Sequence, residues 1–100
     1  MLLNQMKYFI SVVNNNSFKE AAKENNISQS AISQAIKSLE DELGVKLFQR
    51  RNRGFTITRG GKYFYEKSLL MEKELNKLKK NTAKVANYKK PTLSVGYEKT

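Results

Sequence analysis

Apolar residues in the first half of the chain recur at the three- and four-residue steps that place them on one face of a helix. Over residues 4–15 these are Met6, Phe9, Ile10 and Val13, with Leu2 and Leu3 leading in. The run Asn14-Asn15-Asn16 predicts where that helix fails. Ser17 and Glu20 then have the spacing of a capping box, in which the serine oxygen accepts an amide and the glutamate reaches back. The short helix behind them turns Phe18, Ala21 and Ala22 to one side and ends at Asn25-Asn26, since asparagine tolerates left-handed backbone. Ile27 reads as a buried spacer and Ser28 as the next N-cap. A third helix runs to about Leu43, with Ile32, Ala35, Ile36, Leu39 and Leu43 on its apolar side and Gly44 just past its end.

The period then changes. Residues 46–49 and 55–58 alternate as two short strands around Arg51-Asn52-Arg53-Gly54, whose asparagine and glycine suit a turn. From Thr58 a long helix runs to about Tyr88. Phe64, Ser68, Met71, Leu75, Leu78, Thr82 and Val85 make a seven-residue repeat on it, weakened by the serine and threonine. Pro91 ends it, and residues 92–97 alternate like a strand without a partner. The division expected is a domain over residues 1–58, a linker and dimerisation helix over 59–90, and a stub over 91–100. The fold class is mainly α: three helices and a two-stranded wing, followed by the long helix.

Composition narrows what such a fold can do. Nineteen lysines and arginines against nine acids give a net charge of +10 in 100 residues. The excess is +3 over residues 1–58 and +7 over the rest, and residues 43–65 and 75–97 hold no acid. Without cysteine or histidine there is no disulfide and no zinc site, and the commonest nucleophile and proton shuttle are missing. Glu40, Asp41 and Glu42 point in different directions from a helix and have no acid–base partner, so an enzyme is not expected. Neither a membrane span nor a signal peptide is visible, and a cytoplasmic protein fits best.

A polyanion is the partner this charge suggests. Two short helices joined by a tight turn and followed by a basic hairpin make a winged helix-turn-helix, and B-DNA's major groove admits one helix. The helix opening at Ser28 offers Gln29, Ser30, Ser33, Gln34 and Lys37 on the side opposite its apolar stripe. Serines let the backbone approach, glutamine pairs with adenine, and lysine reaches phosphate or guanine. Arg50, Arg51 and Arg53 cluster at the wing's tip beside Lys46 and Arg59, and arginine suits phosphate and narrow minor grooves.

These residues carry a resemblance. Phe9, Ser17-Phe18, Ala21-Ala22, Ile27 to Ser33, Ile36-Lys37, Leu39-Glu40, Leu43-Gly44, Leu47-Phe48, Arg50, Thr58 and Gly61 make residues 3–61 similar to the DNA-binding domain of LysR-type transcriptional regulators. The resemblance implies a linker helix through which two chains dimerise, with tetramers at full length, and base and backbone contacts at Gln29, Ser30, Ser33, Gln34 and Arg53. It also implies that residues 92–97 begin a ligand-sensing domain, so that the chain reads as truncated. No cofactor is expected within it, and the small-molecule effector belongs to the absent domain. Proline is common in the family at position 30, arginine at 34 and leucine at 25. Gln34 shifts the expected base preference toward adenine, and Asn25 is expected to cap its helix.

Outside the compact domain the long helix has no core to lie on. Phe64, Met71, Leu75, Leu78 and Val85 are therefore expected to meet a second copy, placing two recognition helices on an inverted repeat with half-sites near one helical turn apart. The first turns, through Phe64 and Leu69, are expected to pack back on Met6 and Phe9. The alternative is a basic helix, Lys77 to Lys90, that binds an acidic protein or a membrane surface. It lacks tryptophan, and its apolar seam is narrow for a membrane face.

Overall fold

The computed structural model describes residues 1–88. Its elements are α1 (Leu3–Asn15), α2 (Phe18–Glu24), α3 (Gln29–Leu43), β1 (Phe48–Arg51), β2 (Gly54–Ile57) and α4 (Arg59–Ala86). The expected Pro91 stop, the strand at 92–97 and the stub at 91–100 lie outside the described residues, as do the last two residues of the expected linker helix.

Local chemistry ends the helices as the sequence predicts. Ser17 Oγ accepts the Glu20 amide at 3.0 Å and Ser28 Oγ accepts the Ala31 amide at 3.1 Å. The reciprocal half of the box at Ser17 does not form, since Glu20 turns instead to Lys23, 3.7 Å away. Asn16 and Asn26 take left-handed φ values of 49° and 57° behind α1 and α2, and Gly44 one of 73° behind α3. Such conformations are cheap only for glycine and, among side-chain-bearing residues, for asparagine and aspartate.

Phe9, Val12, Ala21, Ala22, Ile32, Ile36, Leu39 and Leu47 form the core. The repeat anticipated Val13 on the buried side of α1, yet Val12 is fully buried and Val13 only partly, because α1 is enclosed by α2, α3 and α4. The Phe9 ring centroid lies 5.3 Å from those of both Phe48 and Phe64, joining α1 to the wing and to α4. Phe64 is half-buried against its own chain's core, as expected for the residues that pack back on Phe9, so only its exposed part is left for the contact with a second copy that the repeat also suggests. Ser68 is buried as well. Leu69, expected to pack back, is 38% exposed because it falls at the flank of the buried face, about 100° from Ser68.

A polar joint ties α1 to α2. Ser11 Oγ donates to Glu24 Oε1 at 2.5 Å, and Asn15 Nδ2 donates to the same oxygen at 2.7 Å. These two hydrogen bonds, that from Ser11 above all, hold the Glu24 carboxyl below its ordinary pKa. Asn25 Nδ2 donates to Ala21 O at 2.8 Å and to Ser11 Oγ at 3.0 Å. Asn25 therefore caps its helix as expected, and its half-buried amide is satisfied.

The strands sit two residues later in β1 than the alternation suggested, and one earlier in β2. Phe48 pairs with Ile57 and Arg51 with Gly54, leaving Asn52-Arg53 as the turn. Asn52 has a φ of 44° there. Leu47, expected in the first strand, is instead fully buried at its entrance.

Candidate nucleic-acid interface

The expected recognition face is built by exclusion. Ile32, Ile36 and Leu39 are buried, so the helical repeat turns Gln29, Ser30, Ser33, Gln34 and Lys37 outward, and all five are exposed. Ser28 is also exposed, but its oxygen is committed to the Ala31 amide and lies 3.4 Å from Ser30 Oγ. Its part is to hold the first turn from which the others project.

The structure divides this face. Gln29, Ser33 and Lys37 form one wall of a cleft of about 790 Å³, and Arg50 and Arg53 of the wing belong to its other wall. Ser30 and Gln34 stand outside the cleft, with Gln34 roughly opposite the buried stripe. Arg51 and Arg59 are exposed but also lie outside it. Strand alternation turns Arg51 away from Arg50, and Arg59 sits on the first turn of α4. Lys37, Lys46, Arg50 and Arg53 line the cleft against one acid, Glu40. A groove of that charge and volume, with amide and hydroxyl groups on one wall, can hold polyanionic backbone between helix and hairpin.

Two joints hold the wing. Glu40 Oε2 accepts the amides of Leu47 at 2.8 Å and Phe48 at 3.3 Å, and its Oε1 lies 3.9 Å from Lys46 Nζ. At the other strand, Thr58 Oγ1 donates to Lys46 O at 2.6 Å and accepts the Gly61 amide at 2.9 Å. Glu40 was missed as a site residue. Its signal was periodic: it lies seven residues after Ser33 and eleven after Gln29, on the side of α3 that meets the wing.

Beyond the compact part, α4 carries its apolar stripe in the open. Met71, Leu78 and Val85 are 55%, 61% and 76% exposed, while Leu75 is half-buried. Leu3, Met6, Ile10, Met71, Leu75 and Leu78 line a second groove, of about 480 Å³, between α1 and α4. Among the described residues no helix is long and apolar enough to cross a membrane.

Three helices, a two-stranded wing and a long trailing helix define the class as a winged helix-turn-helix. Residues 3–62 match the bacterial regulatory helix-turn-helix proteins of the lysR family. The chain belongs to that family. A probable cat1 operon transcriptional activator of Acinetobacter lwoffii is 32% identical over 97 residues, covering 97% of this chain and 32% of that protein. The chain thus spans about a third of that relative's length. Among solved structures, the DNA-binding domain of BenM in complex with catB site 1 DNA superposes with a TM-score of 0.84 at 32% identity, covering 88% of this chain and 99% of that one. That of CbnR with DNA gives a TM-score of 0.82 at 31% identity, covering 87% and all of the two chains.

Proposed function

We propose that this chain is a cytoplasmic regulator that binds double-stranded DNA by sequence, as a homodimer on an inverted repeat. The observation that carries the reading is the cleft, in which Gln29, Ser33 and Lys37 face Arg50 and Arg53. In a complex, α3 lies in the major groove with Gln29, Ser30, Ser33 and Gln34 at base edges, and the wing follows the neighbouring backbone. The likeness to the BenM and CbnR domains, each solved with DNA, supports the same reading.

Dimerisation rests on the open stripe of α4 and the groove beside it. Burying apolar surface there gains about 25 cal/mol per Å², and a second α4 carries the matching stripe. Two-fold symmetry then sets half-sites near one helical turn apart.

Selection of bound sequences from random duplexes tests both parts. The expected result is a two-fold symmetric site whose preferred bases change when Gln29 or Gln34 becomes alanine. Recovery of unrelated sequences, or an unaltered preference in both variants, would overturn the assignment of the recognition face.

A further inference from the structure

We propose that Glu40 is a positioning residue, which fixes the wing relative to α3 and so governs DNA binding through Arg50 and Arg53 without touching DNA itself. The inference rests on the reading of the cleft as the DNA-binding face. A two-stranded hairpin of four residues a side is not stable alone in water, so its orientation depends on what anchors its base. The Glu40 side chain is only 11% exposed, and one of its oxygens takes two consecutive amides at the entrance to β1. Arg50 follows Phe48 by two residues on the same strand face, so an error in the angle at Phe48 displaces its guanidinium from the cleft. Thr58 ties the same entrance to the opposite strand, its hydroxyl donating to Lys46 O and its amide to Leu47 O, whereas Glu40 ties it to α3. Removing Glu40 therefore cuts these hydrogen bonds between the hairpin's base and α3, and leaves those that join its two strands.

The sign of the effect distinguishes positioning from simple electrostatics. Glu40 is the one acid lining a cleft with four cations. By Coulomb's law alone its removal strengthens the attraction for phosphate. If it orients the wing, its removal weakens binding.

The experiment measures affinity for the selected duplex at two or more salt concentrations, with Glu40→Ala, Glu40→Gln, Arg53→Ala and the Glu40→Ala/Arg53→Ala double variant. Glu40→Ala is expected to weaken binding about tenfold and flatten the salt dependence, despite the lost negative charge. In the double variant the Arg53 change should add less than about twofold, because the two act through one element. Glu40→Gln should stay within about twofold of the parent, since its carbonyl oxygen can accept both amides. Unchanged or tighter binding by Glu40→Ala, or a full Arg53 effect in its background, overturns the proposal. Should Glu40→Ala not fold, Glu40→Gln decides: a change beyond about fivefold in either direction assigns the effect to charge and overturns it as well. If Arg53→Ala alone changes nothing, it is the reading of the cleft that fails, and this inference falls with it.

Discussion

The rings of Phe18 and Phe55 meet edge to face with their centroids 5.1 Å apart, so the second strand of the wing leans on the first residue of α2. Phe48 closes the group at 5.6 Å from Phe18 and 5.0 Å from Phe55. A hairpin that projects toward solvent thus has an aromatic root in the domain. Phe55→Ala should destabilise the fold by about 2 kcal/mol, less than a fully buried phenylalanine because Phe55 is only half-buried. Urea unfolding measures it, and a loss under about 0.5 kcal/mol would show that the root does not bear on stability.

Gly61 is needed for space. A Cβ at that position would lie 2.3 Å from Leu47 O and 2.6 Å from Ile57 Cγ1. The carbonyl belongs to backbone that Thr58 also binds, so it cannot yield cheaply. Gly61→Ala should cost about 1–3 kcal/mol, whereas Gly60→Ala, whose Cβ would meet nothing nearer than 3.7 Å, should be close to neutral. Thermal unfolding of the two variants side by side checks the contrast.

Leu75→Lys places a charge in the groove between α1 and α4. If a second copy covers that groove, the variant should sediment as a monomer at concentrations where the parent is a dimer, with unchanged helical circular dichroism. Equal sedimentation of both proteins as dimers would move the interface elsewhere.

Glu24 makes the joint between α1 and α2 sensitive to acid. Its folded pKa is lowered from 4.5 by the hydrogen bonds from Ser11 and Asn15. A group of this sign contributes stability that is fully present above its unfolded value and is lost as pH falls through the folded one. As pH falls from above 4.5 through the lowered folded value, the parent should therefore lose stability faster than Glu24→Gln. Parallel curves for the two proteins would remove the joint from the acid response.

Much of this architecture is legible in the sequence because the helices obey local rules. Ser17 and Ser28 cap, Asn16, Asn26 and Gly44 stop, and the three- and four-residue spacing of Ile32, Ile36 and Leu39 fixes which side of α3 faces out. The outward face of α3 follows from that spacing with no tertiary knowledge. What the sequence did not disclose depends on neighbours far along the chain. The choice of Val12 over Val13 reflects three helices closing around α1. Of the two residues expected to pack back, Phe64 meets Phe9, 55 residues earlier, and Leu69 stays exposed, a difference set by how α4 lies on α1. Glu40 looked like one of three acids at a helix end, and only the folded wing supplies the amides that give it a task. The same holds for the split of the arginines, since which of them lines the cleft depends on strand register.

No loop separates β2 from α4. Ile57 ends the strand, Thr58 caps, and Arg59 begins a helix of 28 residues, about 42 Å long at 1.5 Å per residue. The junction has no slack. The helix therefore meets the domain at two places, along α1 through Phe64 and at Thr58, where it runs straight into the hairpin whose arginines edge the cleft. The direction of α4 and the placement of the hairpin are thereby set together at Thr58.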